Sequence, residues 1–265
     1  MREKRTYDFH VGNRVFESGT HVMAILNATP DSFYSASRHQ NDAVETAKKF
    51  LQQGAQIVDI GGQSTRPGAQ SVSELEEMAR VLPVVESIKK ECPDALVSVD
   101  TFYPDVAWAA IDAGADMIND VSCLRYKALA KVVAQNDVAI CVMHDRRKSQ
   151  ISDLFFDKET GLMRAVDTLL SQGLDKRRIM LDGGIGFNKT SDEDWQLLRG
   201  YDRLIDMFEE YPFLLGTSRK SMFGGTPGTR LSATLDSTML AVKQGVLFVR
   251  VHDVKENVAV INLTK

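Results

Sequence analysis

The chain has 265 residues, 43% hydrophobic and 26% charged, with a formal net charge of −4. That suits a domain with a full core, and neither a basic block for nucleic acid nor a basic amphipathic stretch for a membrane surface stands out. No apolar run approaches the ~18 residues of a membrane span, no apolar stretch follows the basic residues 1–5, and Cys92, Cys123 and Cys141 are too scattered for a disulfide or zinc framework, so a cytoplasmic location is expected.

In chain order, residues 6–19 alternate polar and apolar and predict a β-hairpin. After it one unit recurs: an amphipathic helix ending in Gly or a polar turn, a short β-branched run, then a polar or glycine-containing loop. The runs predict strands at 22–27, 57–61, 96–100, 117–121, 139–144, 179–182, 213–216 and 247–252. Short and largely apolar, they read as buried parallel strands. A helix is expected over 41–53, with Val44, Ala47, Phe50 and Leu51 on one face. Ser73 with Glu76 has capping-box spacing and opens the next helix. Pro104 falls in the first turn of the third, and Ser191 with Asp194 marks a later start. The last helix, after His252, is short. Eight βα units on a chain of this length predict an α/β protein closed as a (β/α)8 TIM barrel. Its N-terminal hairpin covers the lower end, and one domain spans residues 1–265.

The chemistry is expected where strands end. Those ends carry Asn27, Asp59 with Gln63 beyond it, Asp100, Asn119, His144, Asp182, Lys220 just past the seventh strand, and Arg250 with His252. Barrel enzymes place their catalytic groups at C-terminal strand ends. A lone Asp there is commonly a cap or a structural hydrogen-bonder; a set converging on one mouth is a site. Asp100 and Asp182, on strands three and six, nearly face each other. They could work as an acid/base pair, or as acceptors for the N–H edge of a polar heterocycle. The second reading is preferred, because a carboxylate takes two such donors at once. Asn119 offers both donor and acceptor to the same ring, and Lys220 can donate. The loops Ser64-Thr65-Arg66-Pro67-Gly68 and Thr217-Ser218-Arg219-Lys220-Ser221, with Arg250 and His252 ahead of a helix start, suit an anion. Arg219 is expected in a surface ion pair, Arg66 and Arg250 in the site. Residues 183–190 match neither a P-loop nor a dinucleotide fingerprint, and neither zinc spacing nor a Ser-His-Asp elbow is present.

Several segments carry a more specific signal. They are Ile25-Leu26-Asn27-Ala28-Thr29-Pro30-Asp31-Ser32-Phe33, Asp59-Ile60-Gly61-Gly62-Gln63-Ser64-Thr65-Arg66-Pro67-Gly68, Ser98-Val99-Asp100-Thr101, Ile118-Asn119-Asp120-Val121, Met143-His144, Asp182-Gly183-Gly184-Ile185-Gly186-Phe187, Gly216-Thr217-Ser218-Arg219-Lys220 and Arg250-Val251-His252-Asp253-Val254. In that order, across residues 22–254, they resemble the dihydropteroate synthases, the pterin-binding barrels of folate biosynthesis. The resemblance implies condensation of 6-hydroxymethyl-7,8-dihydropterin diphosphate with 4-aminobenzoate, with diphosphate leaving. It implies a pterin site of Asp100, Asn119, Met143, Asp182 and Lys220, and a diphosphate site of Asn27, Arg250 and His252. Mg2+ is expected as cofactor, with Asn27 as its ligand. Phe33, Thr65, Arg66, Pro67, Phe187 and Ser221 should line the aminobenzoate pocket, which in the family also takes sulfonamides. Asp100, Asp182, Lys220 and Arg66 are the implied catalytic set, and a homodimer is the implied assembly. A corrinoid methyltransferase acting on methyltetrahydrofolate, or a non-catalytic pterin-binding partner subunit, are the alternatives.

The sequence departs from the family pattern at three places. Tyr34-Ser35-Ala36-Ser37 replaces Ser-Asp-Gly-Gly in the first loop, leaving Asp31 as a substitute acid. Gln63 stands for Glu. Gly183 stands for Pro, and is expected to add backbone freedom beside Asp182.

Overall fold

Short runs of Val, Ile, Leu and Met cannot bury both faces alone; in parallel register, with helices outside, they can. The computed structural model describes residues 5–28, 36–63, 72–145 and 161–264, the side chains of residues 36–40 excepted. Strands β1 (Phe9–Val11) and β2 (Arg14–Phe16) form the expected antiparallel hairpin. They are followed by β3 (His21–Asn27), β4 (Ile57–Gly61), β5 (Leu96–Asp100), β6 (Met117–Asp120), β7 (Ala139–Met143), β8 (Ile179–Asp182), β9 (Phe213–Leu215) and β10 (Phe248–Val251). These last eight pair in parallel as a closed barrel, in the order β10-β3-β4-β5-β6-β7-β8-β9.

Helices α1 (Ala36–Gln52), α2 (Glu74–Glu91), α3 (Pro104–Asp112), α4 (Ala128–Gln135) and α5 (Leu162–Ser171) follow β3 to β7 in turn. Both α6 (Ser191–Arg199) and α7 (Tyr201–Met207) lie between β8 and β9, then α8 (Leu231–Gln244) and α9 (Val254–Thr264) complete the ring. Pro104 sits at the start of α3, where its missing N–H costs nothing. Gly245 ends α8 with φ +83°, a left-handed cap. Among the described residues, no helix is long and apolar enough to cross a membrane.

The two-residue period of a strand sorts side chains into two cores. Val22, Ala24, Leu26, Val58, Ile60, Val97, Val99, Val142 and Leu181 pack outward against the helices. Met23, Ile57, Leu96, Met117, Cys141, Met180, Leu214 and Phe248 form a second cluster with Tyr7, Phe9, Val11 and Phe16 of the hairpin. Phe248 meets Phe16 edge-on at 4.9 Å and Phe9 at 6.2 Å. The hairpin therefore seals the N-terminal end of the barrel with aromatic packing; burying each such ring contributes about 1.5–3 kcal/mol.

Three local expectations are corrected. Helix α1 begins at Ala36, ahead of the expected 41. Ser73 does cap α2 by accepting from the Glu76 N–H, but Glu76 turns its carboxylate to Arg80 at 2.5 Å, so the reciprocal bond of a capping box is missing. At α6 the cap is Thr190 with Glu193, a complete box one residue earlier than expected. Asp194 is buried and accepts from the Gly186 N–H at 2.6 Å.

Helix α2 also carries Glu77, fully buried, whose carboxylate oxygens have no well-formed hydrogen-bond partner among the described residues. Burial pushes its pKa from 4.5 to about 7, with Thr101 and Arg80 pulling the other way. The folded state thus holds an extra proton between those values, and stability falls as pH rises through the window. Glu77→Met, similar in volume and without charge, should be more stable than the parent by about 2 kcal/mol above neutrality, with the gain fading toward pH ~5. Thermal melts at the two pH values check this; an equal change at both would refute it.

Candidate active site at the barrel mouth

The same alternation that turns Ile57, Leu96, Met117, Cys141, Met180 and Phe248 inward turns the residues two further along inward as well. Those are Asp59, Ser98, Asn119, Met143, Asp182 and Arg250; Asp100 follows Ser98 by another two. The lower barrel is thereby filled with hydrocarbon and sulfur, and its C-terminal mouth is lined with charge. Asn27, at the end of β3, reaches this rim as an exposed residue.

Arg250 organises one half of the mouth. Its Nε donates to Asp59 Oδ2 at 2.6 Å, and one terminal nitrogen donates to Asp100 Oδ2 at 2.8 Å. Asn119 Nδ2 donates to the same Asp59 oxygen at 3.2 Å, while Asp59 Oδ1, also buried, has no hydrogen-bond partner among the described residues. Burial lifts the Asp100 carboxyl to about 7; Arg250 holds it down, and Asp59 pushes it further up. Burial also works against the charge of Arg250, but Asp59 and Asp100 more than offset it, so its pKa is raised. Sequence reasoning placed Arg250 only against an anion; here it also clasps two carboxylates.

Asp182 and Lys220 organise the other half. Asp182 Oδ1 accepts from the Gly184 N–H at 2.8 Å. Gly184 has φ +69°, and a Cβ there would lie 2.1 Å from the His144 carbonyl oxygen, so glycine is required at this turn. Burial raises the Asp182 pKa; the Gly184 bond, Lys220 and Lys189 draw it back. Lys220 donates to the Ile185 carbonyl and stands 4.2 Å above the Phe187 ring. Burial lowers its pKa to about 8, against the pull of Asp182 and Asp194. Lys189 Nζ closes the same loop on the carbonyls of Gly184 and Phe187. Met143, 1% exposed, pairs in register with Asp182.

Between the halves, His252 Nδ1 lies 2.9 Å from Ser218 Oγ, and the His252 N–H donates to the same hydroxyl. Arg219 forms a two-pronged ion pair with Asp253, as expected of it. Ser221 is exposed at the start of the short turn that follows Lys220. Phe33, Thr65, Arg66 and Pro67 lie outside the described residues, as does the substituted first loop up to Ser35. Among the described residues, no three acidic, His or Cys side chains gather as a metal cluster. Asn27 remains a single oxygen donor, which is compatible with Mg2+, an ion that usually keeps waters and takes substrate phosphate as ligand.

Two participants were missed or undervalued in the sequence. Asp59 was noted as a strand end without a role. Tyr201, in α7, carried no local signal at all, yet its hydroxyl reaches Asp182.

The expected freedom at Gly183 is also corrected. Its φ is not positive, and a Cβ would meet the Tyr201 ring at 2.8 Å. The position is glycine because Tyr201 fills the space.

The closed barrel whose mouth pairs buried carboxylates with Asn, Lys and Arg belongs, on comparison, to a known family: the chain is a member of the pterin-binding enzymes, whose model matches residues 23–252. Several of the relatives it matches are dihydropteroate synthases. That of Clostridium beijerinckii is 39% identical, over 94% of this chain and 93% of the relative. That of Bacillus subtilis is 40% identical, over 91% and 86%. Among solved structures, dihydropteroate synthase from Clostridium difficile, crystallised with pteroic acid, superimposes with TM-score 0.88 at 39% identity, covering 97% of both chains. The Xanthomonas albilineans enzyme with 4-aminobenzoic acid gives TM-score 0.89 at 34% identity, again over 97% of each.

Proposed function

We propose that the chain condenses 6-hydroxymethyl-7,8-dihydropterin diphosphate with 4-aminobenzoate, yielding 7,8-dihydropteroate and diphosphate, the dihydropteroate synthase reaction. The observation that carries this is the convergence of Asp100, Asn119, Asp182 and Lys220 on one rim with Arg250. Four of these five are buried or nearly so in strand ends, where rigid backbone holds them.

The carbon–oxygen bond between the pterin methylene and diphosphate breaks, and a carbon–nitrogen bond to the arylamine forms; the amine then gives up one proton. A cation conjugated with the dihydropterin ring develops between these events. Fixed carboxylates at Asp100 and Asp182 stabilise it without reorganising, while Asn119 and Lys220 fix the ring. Arg250 and His252 receive the departing anion. Asn27 would hold Mg2+, which when bound with diphosphate neutralises part of the leaving charge. The neutral aromatic amine needs no strong base. Phe187 and Ser221, with Phe33, Thr65, Arg66 and Pro67, are assigned by the family resemblance to the aminobenzoate pocket. The same resemblance supports a cytoplasmic homodimer, which light scattering would check.

Incubation with both substrates and Mg2+ should release dihydropteroate and diphosphate in equal amounts. Dihydropterin binding without turnover would overturn the proposal.

The pH profile carries a further expectation. Asp100 must be ionised and Lys220 protonated, so kcat/KM for the pterin diphosphate should rise as pH passes about 7 and fall above about 8. Lys220→Arg should extend activity on the alkaline side. A flat profile from about pH 6 to about pH 9 would contradict the assigned protonation states.

A further inference from the structure

Tyr201 is the largest of the fully buried side chains, packed edge-on against Phe213 with ring centroids 5.8 Å apart. Its hydroxyl is not idle in that core. It accepts from the Gly183 N–H at 2.8 Å and shares its one proton between the Leu214 carbonyl oxygen, the short arm at 2.6 Å, and Asp182 Oδ1, the long arm at 3.3 Å. The contacts fall on the end of β8, on the residue after it and on the neighbouring strand β9. Asp182 Oδ1 also takes the Gly184 N–H. One carboxylate oxygen is therefore committed to the protein. Among the described residues, the other, Oδ2, makes no hydrogen bond, and the residue keeps 8% exposure.

Gly183 completes the arrangement. Proline, the residue of the family pattern, would have no N–H to give the Tyr201 hydroxyl. Any Cβ at this position would also meet the ring at 2.8 Å. The departure at 183 and the tyrosine 18 residues later are thus two halves of one fitting.

We propose that Tyr201 is a positioning residue for Asp182: with Gly183 it fixes the carboxylate so that Oδ1 stays bound to the protein and Oδ2 is presented to the pterin. This deepens the proposed function and rests on it. A carboxylate free to rotate would share its acceptor capacity between the loop and the ligand. One held by a loop N–H, with the long arm of a shared hydroxyl bond on the same oxygen, offers the ligand a fixed direction, which is what orientation-sensitive binding requires.

Tyr201→Phe keeps the ring and removes the hydroxyl. In the full-length protein, calorimetric affinity for 6-hydroxymethyl-7,8-dihydropterin diphosphate should fall about tenfold, and its KM should rise in step. The KM for 4-aminobenzoate should stay within about twofold, since the proposed function assigns that ring to Phe187, Ser221 and the loop residues and not to Asp182. Phe213→Leu supplies the packing control. It loosens the pocket that holds the Tyr201 ring without touching the hydroxyl, so it should lower the melting temperature and leave the pterin KM within about twofold. Unchanged pterin affinity in Tyr201→Phe, an equal rise in both KM values, or the same selective loss in Phe213→Leu would each overturn the role. Parent protein that binds no pterin would sink the functional reading instead, a separate result.

Discussion

Asp182→Asn should weaken pterin binding by roughly 100-fold or more while leaving the protein folded. The direction of the loss follows from the hydrogen bonds around the side chain. Gly184 N–H and the Tyr201 hydroxyl both lie against Oδ1. An asparagine in the same pocket keeps its carbonyl oxygen on these donors, so its NH2 takes the place of Oδ2. A donor then faces the N–H edge of the ring, where an acceptor is needed. Each hydrogen bond to a charged acceptor contributes about 1.5–3 kcal/mol, and an unmatched buried donor adds a further penalty. The mutant should retain a cooperative melt, because neither Gly184 nor Tyr201 loses a partner. Pterin affinity by calorimetry is the readout, and an unchanged value would remove Asp182 from the site.

Arg250→Met should have the largest effect on stability. The guanidinium is the bonded cation of both Asp59 and Asp100, at 2.6 and 2.8 Å. Without it two buried carboxylates stand side by side with no counter-charge, a change that typically costs about 3–5 kcal/mol. The cost should depend on pH. The Arg250 charge holds down the pKa of Asp100, which burial nevertheless raises to about 7. Its loss lets the folded form hold that proton to still higher pH, so the mutant loses stability progressively as pH rises. Denaturant titrations at about pH 5 and about pH 8 should show a modest deficit at the first and a severe one at the second. An equal deficit at both would mean that the arginine acts through packing alone. On the proposed function, activity should be lost at either pH, because Arg250 is assigned there to the departing diphosphate.

Much of this was legible in the order of residues. Barrel strands must hide hydrocarbon on both faces, so a polar residue closing an apolar run stands out. Asp100, Asn119 and Asp182 were found in that way, and Arg250 at the end of the eighth run. The hairpin was legible because two-residue alternation is strong even over short stretches. What escaped depends on docking between distant segments. Tyr201 approaches Asp182 across 19 residues, through the placement of α7, and nothing near it in sequence marks a polar task. Gly183 was misread for the same reason: the atom it avoids belongs to that distant ring. The start of α6 was off by one because Thr190, Ser191, Asp192, Glu193 and Asp194 offer overlapping cap registers. The choice fell to Asp194, which is drawn away by the Gly186 N–H. The double ion pair of Arg250 was illegible because charge in a sequence has a sign but no address.

The sealed base has a kinetic corollary. Aromatic rings from the hairpin stopper the well from below, and methionines and leucines fill its lower half. On the proposed chemistry, everything enters and leaves by one doorway. The heterocycle, seated deepest among the strand ends, has to arrive before the second reactant covers it, and the joined product must back out whole. Turnover would then follow a queue rather than random access, with departure of the coupled molecule as the natural bottleneck.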